Sequence, residues 1–179
     1  MNAIIGIISL IRHNAGVKEK VIEYADKIAI SSQHLLGIIN DVLDMSKIEA
    51  GKTVFKYSDF SILDSIEELN TIFHSQANEK NQSFIITKGN LKHEWVNGDK
   101  VHLMQIFSNL LSNAIKYTQE GGIIQFIAEE SETNSSTYGK YHFIVSDNGM
   151  GMSADFKETI FDAFTRAESS VTNKIQGTG

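Results

Sequence analysis

Residues 109–118 read NLLSNAIKYT, a stretch in which two asparagines and a lysine are set among apolar residues. The apolar spacing continues upstream to Asp99, whose residue type commonly caps helices. Repeats of three and four residues predict one long helix from Asp99 to about Tyr117, with one face toward a core. The predicted apolar stripe consists of Leu103, Ile106, Phe107, Leu110 and Ala114.

The polar residues of this helix are expected beside the apolar stripe rather than on the solvent face. At about 100° per residue, Asn109, Asn113 and Lys116 fall within about 60° of one another, at the border of the stripe. An amide oxygen can ligate Mg²⁺, and a lysine ammonium matches a phosphate. An isolated asparagine pair more often caps or hydrogen-bonds a neighbouring loop, so the downstream segments decide between these interpretations.

A glycine-containing segment follows the next apolar strand. Residues 147–152 read DNGMGM, directly after FIV at residues 143–145. Gly149 and Gly151 permit positive φ and a close backbone approach, and Asp147 can accept a hydrogen bond from a base amino group. The segment predicts a nucleotide pocket, although the DNG tripeptide alone is a common turn sequence.

The C-terminal residues combine paired aromatics, an arginine and a glycine pair. Residues 161–166 read FDAFTR, and a run rich in Ser, Thr and Asn follows them and ends in GTG at residues 177–179. The aromatics alone are consistent with an ordinary core. Arg166, a flexible run and then Gly177 and Gly179 together resemble a lid that closes over phosphates.

Apolar residues near the N-terminus recur in sevens, which predicts a long amphipathic helix with a wide buried stripe. The repeat consists of Val21, Ile28, Leu35 and Val42, each followed by a second apolar residue, Ile22, Ala29, Leu36 and Leu43. A preceding helix from Asn2 to about Arg12 is joined through residues 13–16, so the two helices are expected to be antiparallel, and Gly51 is expected to end the second. Two helices bury little surface, so a dimeric four-helix bundle is the natural completion.

After Gly51 the pattern changes to helices interleaved with strands. A strand is predicted around Phe55 and Tyr57, and a helix from Ser61, which pairs with Asp64 as a cap. Further strands are predicted at residues 83–87, near Trp95, at 122–130 and at 141–146. Helices combined with mostly antiparallel strands predict an α+β fold of two layers, with a domain boundary near Gly51.

Composition excludes several classes of function. The net charge of −6 argues against binding to nucleic-acid backbones, which requires clustered Lys and Arg. The chain has no cysteine, which excludes disulfide frameworks, thiolate zinc sites and cysteine nucleophiles. The apolar stretch of residues 3–11 is shorter than the ~20 residues of a membrane helix. The segment is therefore expected to contact neither nucleic acid nor membrane.

Together these segments resemble the sensor histidine kinases of two-component signalling, over nearly the whole chain. Residues 35–51, LLGIINDVLDMSKIEAG, look like the second helix of the dimerisation and phosphotransfer hairpin. Residues 109–118 are similar to the asparagine box of that family. Residues 147–151, 161–164 and 177–179 resemble its first glycine box, its phenylalanine box and the opening of its second glycine box. Five motifs in the family order make a specific signal.

The resemblance implies a two-layer sandwich of the Bergerat type that binds ATP and Mg²⁺. Asn113 would ligate the metal, and Asn109 would line the same site. Lys116 and Tyr117 would face the nucleotide phosphates, Lys116 as a catalytic residue. Asp147 would bind the adenine amino group.

The same resemblance assigns the remaining glycines and the arginine. Gly149 and Gly151 belong to the first glycine box, which approaches the nucleotide. Gly177 and Gly179 would offer backbone amides to phosphate oxygens. Arg166 would help to hold the γ-phosphate and is the second expected catalytic residue.

The implied reaction moves the γ-phosphoryl group of ATP to a hairpin histidine and then to an aspartate of a response-regulator receiver domain. Residues 1–51 would be the dimerisation and phosphotransfer hairpin, which forms a homodimer. Residues 52–179 would be the catalytic ATP-binding domain. The implied location is cytoplasmic, as the intracellular part of a membrane-anchored or multidomain receptor.

One family feature is absent from the chain. The acceptor pattern His-Asp/Glu-x-x-Thr/Ser-Pro does not occur, the chain has no proline, and none of its six histidines stands in that context. By the resemblance, the acceptor would lie a few residues before Met1. The first domain is therefore expected to lack the start of its first helix and the second its C-terminal part, and the chain is expected not to phosphorylate itself.

Two other classes of protein share part of this pattern. ATPases such as DNA gyrase and mismatch-repair proteins share the asparagine helix and glycine boxes, but they lack the signature of residues 35–51. They also usually present a catalytic Glu where this chain has Gln105. A non-catalytic dimerisation or signalling module would keep the fold without the chemistry. Asn113, Asp147 and Arg166 argue against such a module, whereas the missing acceptor pattern favours it.

Overall fold

The computed structural model describes residues 2–160 and divides the chain into two compact units, Met1–Val54 and Phe55–Gly179. Side chains of residues 1–4, 34 and 41 are outside the description. Each unit contains its own secondary structure. The functional assignment of residues 1–51 and 52–179 to two domains stays a prediction.

The first unit is a helical hairpin. Helix α1 spans Asn2–His13 and helix α2 spans Lys18–Glu49, and a tight turn joins them in which Val17 N donates to Asn14 O at 2.9 Å. Gly51 follows α2 with a φ of 62°, in the left-handed region that suits a helix terminus. The predicted hairpin is confirmed. Within the described part of the chain, no helix combines the length and apolar character needed to cross a bilayer.

The two apolar series of α2 differ in exposure. Val21, Ile28 and Leu35 of the first series are half-buried, but Val42 is 42% exposed, so the predicted buried stripe is wrong at that position; the second series is exposed throughout. The exposed fractions in that second series are 52% for Ile22, 59% for Leu36 and 52% for Leu43. The first series is therefore partly covered as far as Leu35, and the second presents an open apolar face.

The second unit contains three further helices and five strands within the described residues. In chain order they are β1 Ser58–Ser61, α3 Ile62–Glu79, β2 Ser83–Lys88, β3 Trp95–Gly98, α4 Lys100–Tyr117, β4 Ile123–Ser131, β5 Lys140–Asp147 and α5 Ala154–Thr159. The predicted caps are confirmed, since Ser61 accepts a hydrogen bond from Asp64 N and Asp99 from His102 N.

The strands form two sheets. Strands β1 and β3 pair antiparallel, and the larger sheet has the order β2-β4-β5. Strand β4 is antiparallel to β5 but parallel to β2, because α4 lies between β2 and β4 in sequence and carries the chain back to the same edge. The strand predicted around Phe55 and Tyr57 is present but begins later than predicted, at Ser58: both residues precede β1, and Tyr57 is 70% exposed.

A single core lies between α3, α4 and the larger sheet. Phe126 of β4 is fully buried and contacts Phe107 of α4 edge-on, with 5.2 Å between ring centroids. Leu69 of α3 and Leu111 of α4 are fully buried in the same cluster. Helices on one face of a mixed sheet make a two-layer α+β domain, so the predicted fold class is confirmed.

Candidate functional site

The first residues of α4 are fixed by a polar cluster around Asp99. The carboxylate accepts hydrogen bonds from His102 N at 3.0 Å and from Lys56 N at 2.6 Å. These two backbone bonds, with the His102 ring close by, lower the pKa of Asp99 from 3.8 to about 2. The His102 ring also contacts Phe55, with 5.4 Å between centroids. His102 therefore belongs to the start of the helix, two turns before Asn109.

The buried face of α4 differs from the predicted stripe. Phe107, Leu111, Ala114 and Ile115 are buried, whereas Ile106 and Leu110 are 55% and 49% exposed. The stripe prediction is wrong at Ile106 and Leu110 because apolar residues cover more than half of this helix, so spacing alone does not show which of them face the core.

Asn109 and Asn113 are both exposed, on the side of α4 that the described residues leave open. They were expected at the border of the buried stripe, but at about 100° per residue they lie nearly opposite Leu111. Ile106 lies on the same side of the helix, one turn before Asn109. The open side of α4 thus offers two amides and apolar surface to a ligand that also contacts its C-terminal end.

Lys116 and Tyr117 end the helix and lie side by side. Both are half-buried, and the Lys116 ammonium lies 4.8 Å from the centroid of the Tyr117 ring. A cation–π contact of this kind restricts the position of the ammonium group. The ammonium is therefore held at the C-terminal end of α4.

A buried glutamine fixes the backbone of this last turn. Gln82 is 4% exposed, and its Nε2 donates to the carbonyl oxygens of Ile115 at 3.0 Å and Thr118 at 2.6 Å. Lys80 Nζ also donates to Ile115 O, at 3.3 Å. The last carbonyls of a helix lack partners within it, and side-chain donors that satisfy them hold the turn in one conformation.

The segment after β5 folds onto the same turn. Asp147 accepts a hydrogen bond from Gly149 N through Oδ1 at 2.9 Å, which closes a tight turn. Met150 N donates to Tyr117 O at 3.3 Å, and a Cβ added to Gly149 would lie 2.5 Å from that oxygen. Glycine is therefore required at position 149. Gly151 has a φ of 66°, which also favours glycine.

The structure thus brings together Lys116, Tyr117, Asp147 and Gly149, while Asn109 and Asn113 lie earlier on the same helix. Arg166, Gly177 and Gly179 lie outside the described residues, as do the aromatic pair of residues 161–164 and the final glycine segment. Sequence reasoning missed Gln82. No local signal marks it, because its partners stand 33 and 36 positions away.

The donor set at this site suits Mg²⁺ only as a metal shared with a ligand. Within residues 2–160, no three His, Cys, Asp or Glu side chains form a group able to hold a metal ion. An exposed amide such as Asn113 can supply one oxygen, and Mg²⁺ commonly completes its shell with waters and substrate phosphates. The residues present fit such a shared site.

Two family models match the chain. Residues 1–51 match the His Kinase A (phospho-acceptor) domain, and residues 98–179 match the histidine kinase-, DNA gyrase B- and HSP90-like ATPase family. The second match covers α4, with its asparagines, and the Asp147 segment. The matched family is one of ATPases, which supports ATP as the nucleotide of this domain.

Known relatives and solved structures agree with both matches. Over the whole chain, 34% of residues are identical to Sensor protein GacS of Pseudomonas syringae pv. syringae and 35% to the autoinducer 2 sensor kinase/phosphatase LuxQ of Vibrio vulnificus. The chain spans about a fifth of these relatives, 19% and 21% of their lengths. Histidine kinase ThkA, solved in complex with response regulator TrrA, superposes with a TM-score of 0.69 at 25% identity, over 91% of this chain and 46% of ThkA. With its hairpin, its ATPase domain and these relatives, the chain belongs to the sensor histidine kinases of two-component signalling, as a segment of their core.

Proposed function

We propose that this segment acts as the core of an ATP-dependent protein histidine kinase, with its nucleotide site at the C-terminal end of α4. The contact that carries the proposal is the close approach of Gly149 to Tyr117 O, which joins the Asp147 segment to Lys116 and Tyr117. The carboxylate proposed to bind the base and the cation proposed to bind the phosphates thereby belong to segments in contact with each other.

Asp147 is proposed to select adenine. Its Oδ1 accepts from Gly149 N, which fixes the carboxylate in one orientation. The second carboxylate oxygen can accept a hydrogen bond from the 6-amino group of adenine. Guanine and hypoxanthine carry an oxygen at that position, which offers the carboxylate no donor.

The phosphates are proposed to lie along the open side of α4. Asn109 stands two turns before Tyr117, about 12 Å along the helix axis, so the amides extend the site away from Asp147. Asn113 would hold Mg²⁺ through its amide oxygen, with Asn109 beside it and Lys116 on a phosphate. When bound, the metal neutralises phosphate charge. By the family resemblance, Arg166, Gly177 and Gly179 are proposed to contact the phosphates.

The proposed reaction breaks the bond between the β,γ-bridging oxygen and the γ-phosphorus and forms a bond from a histidine nitrogen to that phosphorus, which releases ADP. An aspartate of a response-regulator receiver domain then takes the phosphoryl group. The open apolar face of α2, with Leu36 and Leu43, supports a homodimer in which two hairpins make a four-helix bundle. Since no histidine here stands in the acceptor pattern, this chain is expected to form no phosphohistidine.

Calorimetric titration of the Mg²⁺ complex of a non-hydrolysable ATP analogue into the chain tests the nucleotide site. Binding is expected for the unmutated chain, and Asp147→Asn and Asn113→Ala are each expected to abolish it or weaken it at least tenfold. Asn70→Ala is the matched control, because Asn70 lies on α3 outside the proposed site. Unfolding curves that match the unmutated chain exclude global damage. Binding that survives both substitutions would refute the proposed site.

A further inference from the structure

Asn148 makes two hydrogen bonds to a single residue of the neighbouring strand. Its backbone N donates to Ile123 O at 3.2 Å, and its side-chain Oδ1 accepts from Ile123 N at 2.7 Å. The ladder between β4 and β5 ends with Ile124 opposite Asp147. Asn148 therefore extends the attachment of the Asp147 segment to β4 by one residue.

The position of the Asn148 amide depends on a glycine. A Cβ added to Gly122 would lie 2.9 Å from Asn148 Oδ1 and would also clash with the methyl group of Thr118, the C-cap of α4. Gly122 N donates in turn to Gln119 O at 3.0 Å. The start of β4 and the end of α4 thus form the space that the Asn148 side chain fills.

The segment is held from two directions. On one side Asn148 bonds to Ile123, and on the other Gly149 and Met150 contact Tyr117 O. The Asp147 carboxylate lies between these attachments and bonds to Gly149 N. Without the Asn148 side chain, Ile123 N would lose its acceptor, and only the backbone bond from Asn148 N to Ile123 O would hold the segment to β4 at this residue.

We propose that Asn148 is a positioning residue that fixes Asp147 and thereby sets the preference of the site for adenine. The inference rests on the proposed function of Asp147. Asn148 acts through Ile123 and the turn closed by Gly149, and it touches no nucleotide itself. Its removal is expected to affect recognition of the base more than recognition of the phosphates.

Paired titrations with Mg²⁺ complexes of the imido analogues of ATP and inosine triphosphate test this inference. The unmutated chain is expected to prefer the adenine analogue. In Asn148→Ala, affinity for the adenine analogue should fall roughly tenfold, the upper end of what the loss of one neutral hydrogen bond costs. Affinity for the inosine analogue should change little. The ratio of adenine-analogue affinity to inosine-analogue affinity should therefore fall toward one.

Two variants complete the experiment. Asn97→Ala is the matched control, because Asn97 Nδ2 donates to Asp59 Oδ1 at 2.7 Å in the smaller sheet, and both affinities should be unchanged. Asn148→Asp keeps an oxygen acceptor at the same position and should restore most of the adenine preference. Equal losses for both analogues in Asn148→Ala would overturn the inference, since they would reflect general loosening.

Amide hydrogen exchange without nucleotide separates this inference from the proposed function. Asn148→Ala should speed exchange at Ile123 and Gly149, with no change across α3. Unchanged exchange at both amides would overturn the inference even where nucleotide binding persists. An unmutated chain that binds neither analogue, or binds both equally, would overturn the adenine role of Asp147 and the inference with it.

Discussion

The hairpin and the ATPase domain differ in how far they bury their apolar residues. In the hairpin no described side chain is fully buried, and Leu36 and Ile48 of α2 are 59% and 64% exposed. In the ATPase domain Leu69, Leu111 and Phe126 are fully buried between two helices and a sheet. Burial of apolar surface is the main favourable term in folding.

This difference in burial indicates which contacts stabilise each unit. The ATPase domain contains a core that its own residues complete, so its stability is expected to be independent of protein concentration. The hairpin leaves one apolar series of α2 open, so its stability is expected to depend on a second copy, and therefore on concentration. Three substitutions test this division.

The largest effect is expected in the core of the ATPase domain. Phe126→Ala removes a fully buried ring and is expected to lower the free energy of unfolding by about 3–5 kcal/mol. Urea denaturation followed by the fluorescence of Trp95, which lies in this unit, measures the loss. The same loss is expected at every protein concentration. Ile123→Ala, on the same strand but at a 42% exposed position, should cost much less. Equal costs would contradict the assigned core.

A smaller effect is expected at the open face of the hairpin. Leu36→Ala is expected to weaken dimerisation by roughly 1.5–3 kcal/mol for each subunit, since it removes apolar surface that the partner copy would cover. Sedimentation equilibrium measures the change as a shift from dimer to monomer. Lys27→Ala, which removes an exposed ion pair to Glu23, serves as the control. An unmutated chain that is monomeric would contradict the claim that the hairpin depends on a second copy.

The smallest effect is expected at the cap of α4, as a change with pH. The pKa of Asp99 is lowered from 3.8 to about 2, so its contribution is present above pH 3.8 and is lost as the pH falls toward 2. Asp99→Asn should flatten the acid side of the stability curve for the ATPase domain, measured by urea midpoints between pH 5 and 2. Asp99→Asn should leave the pH dependence of hairpin unfolding unchanged. An unchanged acid slope would show that the cap bonds do not hold the carboxylate ionised.

Much of the fold is predictable because its signals are local. Ser61 and Asp99 cap helices through bonds to residues three positions ahead, and Gly51 follows a helix with a positive φ. The parallel pairing of β2 with β4 was not predicted. Strand direction depends on how the intervening helix packs, and no residue within either strand encodes it.

In the candidate site, too, the residues marked by local signals were predictable and those with distant partners were not. Asp147 and Gly149 are recognisable because turn chemistry acts within three residues, and Lys116 stands in a compact motif. The buried face of α4 was assigned partly wrongly, since Leu110 and Leu111 are both apolar and only packing distinguishes them. Gln82 and Asn148 were given no role, because their partners Ile115, Thr118 and Ile123 are distant in sequence.

The central claim is that nucleotide binds where the Asp147 segment meets the end of α4. The most direct measurement is an NMR titration of the ¹⁵N-labelled chain with the Mg²⁺ complex of a non-hydrolysable ATP analogue. The largest amide shifts are predicted at Lys116, Tyr117, Gly149 and Met150, with far smaller changes along α2. Saturable binding whose largest shifts fall in the hairpin or on α3, or a spectrum that the analogue leaves unchanged, would contradict the claim.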